Sequence, residues 1–175
     1  GEGSFGSAYA GAARLDGYVD VGFEDAPDPT LDDGLVYTSR LEMKWSNGAA
    51  APARYNTEAK THLVKSTSSL GSADEVREAI RNGYPVTIAH NNHIASAQVK
   101  GSGENKAVVG RLSTYGPHQT SIQATWDNPE LGLLFGNQNN WHGSVYPKDP
   151  AGLADSACWM PESDMNNACK NGEVY

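Results

Sequence analysis

The stretch from Ser72 to Ala89 changes its hydrophobic period partway along, and that change constrains the fold more than any other feature. Ser72-Ala73-Asp74-Glu75 has the form of a capping box, in which a serine oxygen and a glutamate three residues on satisfy the first free N–H groups of a helix. Val76, Ala79 and Ile80 then share one helical stripe, and Asn82-Gly83 supplies a left-handed stop. Tyr84-Pro85-Val86-Thr87-Ile88-Ala89 follows at once as a proline-led β run. Apolar, β-favouring runs continue at 94–99, 107–112, 119–126, 131–135 and 144–146.

Upstream, helical spacing dominates. Tyr9, Ala12, Ala13, Leu15 and Tyr18 make a small-residue stripe weakened by Gly17, and Leu35, Val36, Leu41 and Trp45 make a second that closes at Asn47-Gly48. Residues 24–33, with Pro27 and Pro29 among acidic side chains, read as a turn-rich loop. Residues 49–61 read as irregular, and His62-Leu63-Val64-Lys65 as a short strand. Helices first and strands later give an α+β class: one domain, with a helical lobe over about 1–80 and an antiparallel sheet or half-barrel over about 81–175.

A chain of 175 residues with 38% hydrophobic and 9% aromatic side chains can bury a real core, so disorder by composition is excluded. The formal charge of -8 argues against nucleic acid or an anionic membrane surface as partner, since both demand a basic patch. No apolar run approaches the roughly 20 residues that span a bilayer, and the start has no basic-then-apolar leader pattern. The chain opens at Gly1 close to its first motif, as a processed or partial product would. Its two cysteines, Cys158 and Cys169, could bridge a C-terminal loop or stand as separate buried thiols.

Three segments carry a chemical pattern. Gly3-Ser4-Phe5-Gly6-Ser7-Ala8-Tyr9 is a glycine- and serine-rich turn entering a helix, where free N–H groups and the dipole favour a thiolate. Tyr115-Gly116-Pro117-His118 heads an alternating strand, and Asn137-Gln138-Asn139-Asn140-Trp141-His142-Gly143 follows the next. In that order the segments resemble the papain-like cysteine peptidases, with their Gly-Ser-Cys-Trp helix start, strand-heading His and Asn-Ser-Trp-Gly. The resemblance implies a two-lobe α+β fold with a central helix in the N-terminal lobe. It also implies His118 as general base, Asn139 as the residue orienting its ring, and Trp141 shielding that bond, with Gly6 and Ser7 shaping the nucleophile turn. Asn137 is a rival orienter, because His142 interrupts the expected Trp-Gly pair.

The same resemblance puts Ala8 where the nucleophilic cysteine belongs. A methyl group can neither ionise nor attack, and losing the nucleophile of a coupled triad costs roughly six orders of magnitude in turnover. A register placing Gly3 there leaves the conclusion unchanged, since the turn holds no cysteine. Glu2 falls at the position of the family's oxyanion-hole glutamine, where a carboxylate repels the developing charge instead of donating to it. The implied role is therefore structural or peptide-binding, through strand-like main-chain contacts. The alternative is an active endopeptidase captured with its cysteine replaced at position 8.

The acidic, cysteine-poor chain is also similar to papain-like proteins among tailed-phage virion and assembly components. That similarity implies other virion proteins as partners beside a peptide or protein ligand. A cell-wall amidase of related fold shares the Cys-then-His order, but Asn139-x-Trp141 disfavours it. No metal is assigned: His90 and His93 lack a carboxylate or cysteine cluster, and residues 24–33 lack the spaced oxygen ligands of a calcium loop. No cofactor is assigned either. The Trp residues between Trp126 and Trp141 fit core packing better than a sugar-binding surface.

Overall fold

The computed structural model describes residues 59–113, 118–139 and 146–175, together with Arg14, Thr57 and Gly116. The two upstream helical stripes, the acidic loop at 24–33, the turn bearing Glu2, Gly3, Gly6, Ser7 and Ala8, and Trp141 with Gly143 lie outside the described residues. The chain divides into two units, one of which carries Ser68–Tyr175. In the other, His62-Leu63-Val64-Lys65 is not a strand, and none of its side chains is buried.

Within the unit carrying Ser68–Tyr175 the class is α+β. Helix α1 (Ala73–Arg81) begins where Ser72 Oγ accepts the Glu75 N–H at 3.2 Å. The Glu75 carboxylate reaches back one residue further than a capping box requires, taking the Gly71 N–H at 2.6 Å. At the far end Gly83 N–H donates to Ile80 and Tyr84 N–H to Ala79, with Gly83 at φ 79°, which completes a Schellman stop. Helix α1 packs Ala73 and Val76 into the core it shares with the sheet.

The strands are β1 (Val86–His90), β2 (Ile94–Lys100), β3 (Ala107–Leu112), β4 (His118–Asn128), β5 (Gly132–Gln138), β6 (Ala157–Pro161) and β7 (Glu173–Val174); helix α2 (Glu162–Asn171) lies between the last two. They form one seven-stranded sheet in the order β2-β3-β6-β5-β4-β1-β7. The expected all-antiparallel sheet is corrected at one ladder, because β6 inserts between β3 and β5 and runs parallel to β3. Four of its five residues are buried, as expected of a strand covered on both faces. The expected strand at 144–146 is absent at Tyr146, the only one of those residues described.

Alternation splits the core between the two faces. Val86, Ile88, Ile122, Phe135, Cys158 and Met160 meet α1 and α2 on one side. Leu134, Trp159 and Val109 meet Trp126 and Leu153 on the other, with Trp126 and Trp159 at 5.4 Å between ring centroids. Two buried carboxylates tie these layers. Asp164 in the first turn of α2 accepts from Arg111 at 2.7 and 3.0 Å and from Leu112 N–H at 2.9 Å. Asp149 accepts from Val108 N–H, Leu153 N–H and Trp159 Nε1 at 2.8, 3.1 and 3.0 Å.

Candidate functional site

At one end of the sheet the β4–β5 ladder brings two sequence-distant polar residues together. Gly116, at φ 73°, lies just ahead of β4, which His118 opens; Asn139 directly follows the last residue of β5. With Ser121 paired to Gln138, His118 and Asn139 stand on the same face, one diagonal step apart. His118 Nε2 and Asn139 Oδ1 are 2.9 Å apart. An amide oxygen only accepts, so with that oxygen toward the ring Nε2 would donate and Nδ1 would be left to accept.

Asn139 is buried and held on three more sides. Its backbone N–H donates to Ser156 O at 3.1 Å, its Nδ2 donates to the Tyr146 hydroxyl at 3.2 Å, and Gln138 Nε2 donates to its carbonyl at 2.9 Å. Tyr146 in turn donates to the Ile94 carbonyl at 3.1 Å. Asn137, the rival orienter, is turned to a different partner: Nδ2 donates to Thr120 Oγ1 at 2.8 Å, and Oδ1 has no partner among the described residues. The two Asn residues thus form successive rungs, Asn139 on His118 and Asn137 on Thr120.

The neighbouring strand completes the row. His90, last residue of β1, pairs directly across from His118. It is buried, and its Nδ1 accepts the Asn92 N–H at 3.2 Å. His90 therefore ends a strand, one residue beyond the β run read from the sequence. Gly172 lets the end of α2 close over this point, since a Cβ there would lie 2.7 Å from Ala89 O and 3.0 Å from His90 Cβ.

Burial pushes the His90 pKa down to about 4, with His118 and His93 adding repulsion. The His118 pKa is lowered by burial and by His93, while its hydrogen bond to Asn139 pulls the other way. A lowered value keeps the ring neutral near pH 7, the state a general base requires. Burial pushes the Cys158 thiol up to about 12 and the Cys169 thiol up to about 11. Both are free, so the bridged alternative is not realised, and neither supplies a thiolate near neutrality.

Among the described residues no group of three or more His, Cys, Asp or Glu is arranged to hold a metal ion, and no helix is long and apolar enough to cross a membrane. Of the residues singled out from sequence, the structure brings together His118 and Asn139 and keeps Asn137 apart from them; Ala8, Glu2, Gly6, Ser7 and Trp141 lie outside the described residues. Tyr146 was missed. Its partner Ile94 is 52 residues away, a contact that no local spacing signals. Comparison of the chain with protein-family models, with curated proteins and with solved structures finds no match.

Proposed function

We propose that this chain is a papain-like protein that keeps the general base and its orienter but carries Ala8 at the nucleophile position, so that as written it binds peptide without cutting it. The observation that supports this is the 2.9 Å contact between His118 Nε2 and Asn139 Oδ1. In thiol acyl transfer the imidazole must present a bare nitrogen to the nucleophile while its other nitrogen is held by an acceptor. The pair supplies the second part of that requirement, an acceptor held against one ring nitrogen.

A second reading, an endopeptidase whose cysteine has been replaced at position 8, is favoured by the same pair. One experiment separates the outcomes. Extended peptides are titrated against the unsubstituted protein and incubated with the Ala8→Cys variant. Binding by the first and cutting by the second, abolished by His118→Ala, is expected of a disabled peptidase. Binding with no cutting supports the binding role alone, and neither binding nor cutting overturns the papain-like reading.

A further inference from the structure

The orientation of the Asn139 amide decides what His118 can do, because its oxygen and nitrogen ends make opposite demands on the ring. Oxygen facing His118 requires a proton on Nε2 and leaves Nδ1 to accept; nitrogen facing it requires a bare Nε2 and puts the proton on Nδ1. The His118 contact by itself suits either arrangement. The other end of the amide breaks the tie, and that end meets the hydroxyl of Tyr146 at 3.2 Å.

A tyrosine hydroxyl has one proton to give. Here it lies 3.1 Å from the Ile94 carbonyl, which can only accept. The proton is committed to Ile94, so toward Asn139 the hydroxyl oxygen is an acceptor and calls for the amide N–H. Tyr146 is buried, which leaves this arrangement little competition from solvent. Ile94 is itself fixed. It opens β2 in register with Leu112, and its side chain fills the space over Gly110, where a Cβ would lie 2.1 Å from the Ile94 methyl.

We infer that Tyr146 is a positioning residue for this site: its hydroxyl, anchored on the Ile94 carbonyl, fixes the Asn139 amide with oxygen toward His118 and thereby sets the Nε2–H tautomer that makes Nδ1 the basic nitrogen. The chain of direction runs from a main-chain carbonyl through a phenol and an amide to an imidazole. Each link is a donor meeting an acceptor that cannot reverse unless the previous one does. The catalytic meaning of this assignment rests on the peptidase reading above, but the tautomer itself does not depend on position 8.

The test is nitrogen NMR of the histidine rings in the unsubstituted protein and in Tyr146→Phe, both at a pH where the imidazoles are neutral. The expected result is a His118 ring protonated at Nε2 in the parent. In the variant the two ring nitrogen signals move toward each other as the amide flips and both tautomers populate. His90, whose Nδ1 accepts from Asn92, keeps its signals in both proteins and reports that the fold is intact.

An unchanged His118 tautomer in a folded Tyr146→Phe overturns the inference. Should the variant not fold, the parent alone decides. A contact between the Tyr146 ring edge and the Asn139 side-chain amide protons, with His118 protonated at Nε2, supports the assignment, and a His118 protonated at Nδ1 overturns it. Failure of Ala8→Cys to cut peptides while the tautomer shift is seen would overturn the peptidase reading and leave the positioning role standing.

Discussion

Lowering the pH should unfold the unit carrying Ser68–Tyr175 largely through His90. The ring is buried opposite His118, its Nδ1 occupied by the Asn92 N–H, and its Nε2 has no partner among the described residues. Protonation must break the Asn92 bond and place a charge out of water beside two other histidines. Burial and those neighbours lower the pKa from 6.5 to about 4 in the folded state. The unfolded chain therefore binds the proton first, so the stability linked to this group is complete above pH 6.5 and is lost as pH falls toward 4. At about 1.4 kcal/mol per unit, the loss is about 3 kcal/mol.

The assay is urea denaturation followed by tryptophan fluorescence at a series of pH values, for the parent and His90→Asn. Asparagine offers the Asn92 N–H an acceptor but cannot take up the charge. With a slope of about 2 kcal/mol per molar urea, the parent midpoint should fall by roughly 1.5 M more than the variant's between pH 7 and pH 4. Parallel curves for the two proteins over that range would refute the reasoning, because the proton uptake would then belong to other groups.

Asp149→Ala removes the shared acceptor of Val108 N–H, Leu153 N–H and Trp159 Nε1 and should cost about 3–5 kcal/mol in chemical denaturation. Asp149→Asn, which keeps one carbonyl oxygen, should fall between that variant and the parent. Cys158 and Cys169, with thiols pushed up to about 12 and about 11, should resist iodoacetamide at pH 8 and react fully once the chain is unfolded, as read by mass spectrometry. Fast labelling in the native protein would contradict the burial of Cys158 and the partial burial of Cys169.

How much of this was legible in the sequence differs from element to element, for physical reasons. Helix α1 was readable because its signals are local: Ser72 caps, Val76 faces the core, and Gly83 turns left-handed. Strands β1 to β5 were readable from alternation and apolar runs. The position of β6 was not, since Ala-Cys-Trp-Met-Pro carries no sign of which strands will flank it, and its parallel pairing with β3 is a long-range choice. Helix α2 hid behind a polar sequence, burying only Asp164, Met165 and Ala168, and it starts after Pro161 with no side-chain cap.

At the site, the order of short motifs singled out His118, Asn139 and Asn137, but that Asn139 meets His118 while Asn137 meets Thr120 was visible only in the structure. Two residues along the chain, on the same face, separate the diagonal neighbour of His118 from that of Thr120. Tyr146 stands in no element, and its two bonds reach Asn139 and the start of β2. Directional polar contacts of this kind arise only when strands distant in sequence converge.

The most direct test is the alkylation rate of Ala8→Cys as a function of pH, read against the two silent native thiols. If His118 stands ready as a base held by Asn139, the new thiol should react with a midpoint well below the ordinary value of about 8.5, and His118→Ala should restore that ordinary value. A midpoint near 8.5 that does not respond to His118→Ala would contradict it.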